Sequence, residues 1–223
     1  MSDLAIYDLD RTVTRRATYT PFLLHCALRR APWRLLLTPL VAASMLAYLV
    51  KLIDRARLKE INHRLLLGRW IHPRDLKPLV DSFADATVAG NIRPGASKAI
   101  ARDQAQGRRL VLATASYRLY AEAIAERLGF DDVIGTGSVI GLDERVRSRI
   151  EGENAYGEAK LRMIASWVEK SGLTGKHGHV RFYSDHASDA PTFEWADEAV
   201  AVNPHARLAR MAIRRGWAIE DWG

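Results

Sequence analysis

Past residue 91 the chain alternates short apolar runs with amphipathic stretches, and this alternation constrains the fold more than any other feature of the sequence. Runs at 110–113, 133–134, 180–183 and 199–202 read as strands, with a hairpin-like region around Gly141. Periodic stretches ending near 106 and covering 118–128, 158–170, 188–195 and 205–214 read as helices. Gly107 and Gly129 stand where helix ends favour a left-handed glycine. Strands linked through helices lie parallel, so the expectation is an α/β fold: a Rossmann-like parallel sheet core with helices on both faces. The apolar run 4–9 supplies a first, buried strand.

Between that strand and the alternating region, residues 20–90 show helical spacing and no strand signals. The simplest organisation is an α/β core of residues 1–16 and 91–223 with an all-helical cap, residues 17–90, inserted after the first strand. A length of 223 residues suits one domain with such an insertion. Inside the cap, residues 35–50 form sixteen consecutive uncharged positions, between the lengths typical of a buried helix and of a bilayer span. One reading makes this run a buried cap helix, with Pro39 near its start. The other makes it an interfacial helix, because Arg29, Arg30 and Arg34 precede it and Lys51, Arg55 and Arg57 follow. A full span fits less well, since the insertion must return to the same sheet edge.

The net charge of +7 favours an anionic partner: a phosphate ester, a nucleic acid or an acidic lipid surface. The six tryptophans are scattered rather than arrayed as stacking platforms, so no nucleic-acid partner is expected. Cys26 is the single cysteine and cannot form an intramolecular disulfide, and Met1-Ser2-Asp3 opens no secretory signal. Both point to the cytoplasm, or to the inner face of the membrane if the uncharged run contacts lipid.

Ligands of open α/β sheets bind beyond the carboxyl ends of the strands. The first strand ends in Asp8-Leu9-Asp10-Arg11-Thr12, the second in Thr114-Ala115-Ser116, and a later one in Ser184-Asp185-His186-Ala187-Ser188-Asp189. Lys160 falls in the first turn of the helix predicted from 158. Carboxylates at two strand ends, a hydroxyl at a third and one lysine suit metal-assisted phosphoryl transfer, in which one carboxylate attacks phosphorus and another protonates the leaving oxygen.

In this order the motifs resemble the haloacid dehalogenase superfamily, specifically its phosphatase branch of phosphoserine phosphatase-like, histidinol phosphatase-like and phosphatidylglycerophosphatase C-like hydrolases. The resemblance covers the chain outside the insertion. It implies Asp8 as the nucleophile that becomes an aspartyl phosphate and Asp10 as general acid, then base. Thr114 and Lys160 would bind the substrate phosphate, with Ser116 competing for the role of Thr114. Asp8, Asp185 and the backbone carbonyl of Asp10 would hold Mg²⁺, with Asp189 supporting the metal shell. Two positions depart from the common pattern: Arg11 replaces a usual glycine, and His186 a usual serine. An acid at position 10 favours ester hydrolysis over halide displacement, because an alkoxide leaves poorly without a proton.

The implied activity is a Mg²⁺-dependent phosphatase acting on a phosphomonoester. The apolar, basic cap suggests a lipid phosphate such as phosphatidylglycerophosphate. The alternatives are a soluble metabolite such as phosphoserine or histidinol phosphate, and a non-catalytic membrane-associated binding protein.

Overall fold

A computed structural model describes residues 2–172 and 177–223. The strands are β1 (Ser2–Tyr7), β2 (Trp70–Ile71), β3 (Arg109–Tyr117), β4 (Asp132–Ile140), β5 (Val146–Glu151), β6 (His177–Ser184), β7 (Glu198–Val202) and β8 (Ala218–Glu220). The helices are α1 (Tyr19–Arg30), α2 (Thr38–Leu49), α3 (Arg55–Leu66), α4 (Pro73–Gly90), α5 (Pro94–Ala105), α6 (Arg118–Leu128), α7 (Glu158–Lys170), α8 (Ala190–Trp195) and α9 (Ala206–Arg215). One sheet runs in the order β2-β5-β4-β3-β1-β6-β7-β8.

The six strands from β4 to β8 in this spatial order are parallel, as the alternating sequence requires. Successive residues of the central strands face opposite layers. Leu4, Ile6, Val111 and Ala113 pack with Ile164 and Val168 of α7, Phe193 of α8 and Leu208 of α9. Ala5, Tyr7, Leu110 and Leu112 pack on the other side with Ala99 and Ile100 of α5 and Ile124 of α6. Asp103 ties α5 to this second face. It is fully buried and accepts from Tyr7 Oη (2.5 Å), Tyr183 Oη (2.9 Å) and Arg181 Nη1 (2.6 Å).

The hairpin-like region expected around Gly141 is the β4–β5 pair, which runs antiparallel and makes the sheet as a whole mixed. Two expectations need correction. The inserted block is not all-helical: β2 pairs antiparallel with β5, Trp70 opposite Arg147 and Ile71 opposite Val146. Two residues are too few for a periodic signal, and they become a strand because β5 offers them an open edge. The uncharged run is not a buried helix either. It divides into a 3₁₀ turn (Pro32–Leu37) and α2, whose buried residues are Val41 and Ser44. Leu36, Leu49 and Leu52 are 80%, 72% and 77% exposed.

The insertion leaves and rejoins the core through a paired neck. Thr14 bridges Ile92, Arg15 N donates to Asn91 O (2.7 Å), and Arg93 N donates to Val13 O (3.0 Å). Directly after this neck, α5 starts at Pro94-Gly95 beneath the C-terminal Trp222, which is buried in the Tyr7/Tyr183 layer. A Cβ on Gly95 would lie 2.5 Å from Trp222 Cβ and 2.6 Å from its Cα. Gly95→Ala should therefore displace the C-terminal segment and destabilise the fold by about 1–3 kcal/mol. That corresponds to a melting temperature lower by roughly 2–10 °C at this size, read by thermal denaturation.

Candidate active site

Strands β3, β1 and β6 are neighbours, and the chain fills β3, β4 and β5 on one side of β1 before crossing to β6, β7 and β8 on the other. Such a switch point leaves a crevice at the carboxyl ends. The register sets Tyr7 opposite Leu112 and Tyr183, so the next residues of the three strands share one rim. Asp8 N still donates to Tyr183 O at 2.9 Å, which holds the Asp8 backbone at the end of the sheet.

Beyond Asp8 the chain makes a wide turn closed by Thr14 N to Leu9 O (2.9 Å). Arg11 crosses this turn at φ 65°, in the left-handed region. That accounts for glycine being the usual residue there, since a side chain with Cβ pays roughly 1 kcal/mol in this conformation. The turn directs Thr12 back into the site. Its Oγ1 donates to Asp8 Oδ2 (3.2 Å), lies 3.3 Å from Asp185 Oδ1 and accepts from Asp185 N (2.9 Å).

From α7, Lys160 reaches the same point. Its ammonium, 2% exposed, donates to Asp8 Oδ1 at 2.8 Å and to Asp189 Oδ2 at 2.7 Å. Ser184 Oγ also donates to Asp189 Oδ2 (2.7 Å), while Asp189 Oδ1 is buried with no hydrogen-bond partner. The site thus brings together Asp8, Asp185, Asp189 and Lys160, four residues singled out in the sequence. Burial, with the neighbouring Asp189 and Asp185 charges, pushes the Asp8 carboxyl up to about 7 against the opposing pull of Lys160. Asp185 is raised chiefly by burial. Burial disfavours the Lys160 ammonium, but Asp189 and Asp8 outweigh it and hold its pKa above the ordinary lysine value.

Asp10 lies at the junction of core and insertion. Oδ1 accepts from Thr18 N and Thr18 Oγ1, both at 2.7 Å, and Oδ2 accepts from Ser116 Oγ at 2.6 Å. Thr114 sits deeper than the other candidates. It is fully buried, and its hydroxyl accepts from Ser116 N (3.0 Å), so Ala115 and Ser116 form the cavity wall at this strand end. His186 lines the cavity with its Nδ1 turned to Ser188, 2.8 Å from the Ser188 hydroxyl and 3.1 Å from its N.

Above this floor is a cavity of about 360 Å³, roofed by Tyr19 of α1, Met45 and Tyr48 of α2, and Arg55, Lys59 and Asn62 of α3. Sequence reasoning missed these roof residues. Lys59 in particular sits in a run, Arg55-Ala56-Arg57-Leu58-Lys59-Glu60, that reads as an ordinary solvated helix face. Thr12 was visible as the last residue of the Asp-x-Asp-x-Thr pattern, and Ser184 only as the residue before Asp185.

The donor set suits a hard divalent cation. Three buried carboxyls, Asp8, Asp185 and Asp189, face one lysine, and Asp189 Oδ1 is unsatisfied. Among the described residues no group of three or more His, Cys, Asp or Glu side chains is placed to hold a metal ion, so a cation here would rely on two carboxylates, a backbone carbonyl and water. Mg²⁺ matches such a site, because it is commonly held by one or two carboxylates and keeps several waters.

The comparisons with known proteins agree with this geometry. A family model for haloacid dehalogenase-like hydrolases matches residues 5–194. The chain is 32% identical over 172 residues to the phosphoserine phosphatase SerB1 of Mycobacterium tuberculosis, covering 74% of this chain and 55% of that one. The chain therefore spans about half the length of that relative. It is 27% identical over 138 residues to a histidinol-phosphatase of Neisseria meningitidis serogroup C, covering 61% of this chain and 62% of the relative. A crystal structure of a protein of unknown function from Bordetella pertussis Tohama I superposes with a TM-score of 0.89 at 25% identity, over 100% of both chains.

The raised Asp8 carboxyl makes stability depend on pH. Its folded pKa, about 7, exceeds the unfolded value of 3.8, so the folded state holds the extra proton between these values. The corresponding stability is full below about pH 4 and is lost as pH rises through 7. In metal-free protein, Asp8→Asn should gain stability relative to wild type between pH 5 and pH 8, by an amount on the order of 1–3 kcal/mol. Urea unfolding of both proteins at the two pH values checks this, and a pH-independent difference would contradict it.

Proposed function

The chain belongs to the haloacid dehalogenase-like hydrolase family, and on that premise we propose that it is a cytoplasmic phosphomonoesterase working through an aspartyl-phosphate intermediate. The observation that carries this reading is the Asp8–Lys160–Asp189 bridge, which sets a nucleophilic carboxylate and a fixed cation at the floor of the cavity. The phosphatases among its relatives support hydrolysis of an ester.

Asp8 attacks phosphorus, so a new O–P bond forms as the bond to the leaving oxygen breaks. Lys160 neutralises charge on Asp8 and on the transferring phosphoryl oxygens, and Ser116, which lines the cavity above the buried Thr114, offers the hydroxyl to the phosphate. Asp10, oriented by Thr18 and Ser116, delivers a proton to the leaving oxygen and then takes one from the water that hydrolyses the acyl phosphate. Asp8, Asp185 and the Asp10 carbonyl would hold Mg²⁺, which supplies charge neutralisation on the phosphoryl group, and Asp189 fixes Lys160 beside them. Asp8→Asn should keep the fold and lower phosphate release by on the order of 10³-fold or more, because an amide is a poor nucleophile. Chelation should abolish release and added Mg²⁺ restore it. Phosphate release near the wild-type rate from Asp8→Asn would refute the mechanism.

A second reading, a lipid phosphate at an anionic membrane surface, draws on the exposed apolar residues Trp33, Leu36, Leu40, Leu46, Leu49, Val50 and Leu52 at the tip of the insertion. The segment Pro32–Leu49 is long and apolar enough to cross a membrane by length and composition only, and 11% of it is buried. A tip that binds lipid should sediment with anionic vesicles, and binding should weaken with salt as the arginine contributions are screened. Leu49→Asp with Leu52→Asp, both exposed, should reduce binding without unfolding the chain, as checked by circular dichroism. Wild-type protein that ignores anionic vesicles at low salt would refute this reading.

A further inference from the structure

Lys59 projects from α3 into the roof of the cavity, facing Asp8 and Lys160 across it. It is only 6% exposed, yet among the described residues no carboxylate is ion-paired with it. Its ammonium donates to the carbonyl of Ala115 at the end of β3 and to Asn154 Oδ1, the latter at 2.6 Å. Thr136 Oγ1 fixes the same two acceptors, donating to Ala115 O (2.7 Å) and lying 3.1 Å from Asn154 Oδ1. An ammonium has three donors, so one remains after these two bonds. The rings of Tyr19 and Tyr117 flank it at 5.6 and 5.9 Å. Arg55, one turn earlier on the same helix, lies over the Tyr156 ring at 3.9 Å and also lines the cavity.

The roof residues from the insertion are Ala17, Tyr19, Thr20, Met45, Tyr48, Arg55, Leu58, Lys59 and Asn62. None is acidic. Of the four carboxylates that line the cavity, Asp8, Asp185 and Asp189 lie on the floor, and Asp10 lies at the junction with the insertion, bonded to Thr18 and Ser116; its charge favours the Lys59 ammonium but makes no ion pair with it. A buried cation with no carboxylate within ion-pair distance is costly unless something completes it. A leaving group with an ammonium would meet two cations and no free carboxylate in the roof.

Resting on the phosphomonoesterase reading, we propose that Lys59 is a specificity-determining residue that binds a second anionic group on the leaving alcohol. The substrate class is then a phosphomonoester whose alcohol carries a carboxylate or a phosphodiester and no ammonium. Lys59 keeps its bonds to Ala115 and Asn154 and spends the third donor on that anion, with Arg55 adding positive potential from the next turn.

Three esters that differ at one terminus test this: 2-phosphoglycolate (carboxylate), ethylene glycol monophosphate (hydroxyl) and O-phosphoethanolamine (ammonium). The wild-type protein with Mg²⁺ should show kcat/KM highest for phosphoglycolate and lowest for phosphoethanolamine. Lys59→Gln, whose amide can still donate to Ala115, should lower kcat/KM for phosphoglycolate by about tenfold, chiefly through KM, and narrow its lead over the hydroxyl ester. Lys59→Arg should restore much of that lead. A melting temperature for each variant checks that the fold is kept. A glycerol-linked phosphodiester carrying a terminal phosphate, assayed with and without acyl chains, separates the sources of the anion. Preference for the acylated form assigns a lipid headgroup, and preference for the chain-free form a soluble ester.

Equal loss on all three esters in Lys59→Gln would make Lys59 a structural tie between α3 and β3 and overturn the proposal. Wild-type turnover of all three with no preference for the carboxylate would also overturn it, while leaving the phosphatase reading intact. No turnover of these esters or of p-nitrophenyl phosphate would defeat the phosphatase reading itself, and this proposal with it.

Discussion

Lys160 Nζ, donating to Asp8 and Asp189 at 2.8 and 2.7 Å with all three side chains buried, offsets two of the three carboxylates that β1 and the segment after β6 bring to one point. Its removal would leave like charges buried together, and breaking such a pair costs roughly 3–5 kcal/mol. The requirement propagates outward. Lys160 reaches Asp8 only if α7 begins at Glu158, and Gly157 turns the chain into it at φ 61°, a conformation that favours glycine. Ser184 must end β6 so that its hydroxyl bonds Asp189, and Thr12 must fold back from the turn to stand between Asp8 and Asp185. Three segments far apart in sequence are thus fixed by one compensated charge cluster.

The insertion is joined to that cluster at the level of single residues. Thr18, at the start of α1, holds Asp10 through both its amide and its hydroxyl, so the Asp10 carboxyl is oriented by the first residues past the neck. The hydroxyl of Thr18 in turn lies 3.0 Å from Tyr120 Oη of α6. On the opposite side Glu60 accepts from Ile150 N (3.1 Å), and β2 extends β5. Roof and floor therefore share hydrogen bonds as well as a boundary.

How much of this was legible in the sequence depended on the range of the signal. The parallel strands and their helices were readable because burial on both faces imposes apolar runs, and because Gly129 marks the end of α6 with its left-handed φ of 75°. The acidic floor was readable because its residues sit in short local patterns after strands. β2 and β8 were not, since two and three residues carry no period and exist through a neighbouring edge. The course of residues 35–50 was not readable either. An apolar helix has the same composition whether its neighbours cover it or leave it bare, and only tertiary contact decides. Lys59 was hidden for the converse reason: a lysine among charged residues looks solvated until another segment closes over it.

The distribution of charge links the two halves of the cavity. A phosphate monoester brings negative charge to a floor that already carries more carboxylates than cations. At an effective dielectric near 20, two like unit charges 4 Å apart repel by about 4 kcal/mol. The floor alone therefore opposes its own ligand, and binding needs positive charge that Lys160, already shared between Asp8 and Asp189, cannot fully supply. A divalent cation held by Asp8 and Asp185 would answer part of that need. The other cations bordering the cavity are Arg11 at its mouth and Arg55 and Lys59 in the roof, and burial lowers the Lys59 ammonium to about 7. An anion arriving beside Lys59 would favour its protonated form, so ligand and roof charge stabilise each other. The surplus of basic residues in the chain thus has a local counterpart: the acidic chemistry is confined to the sheet edge, and the insertion that covers it presents cations.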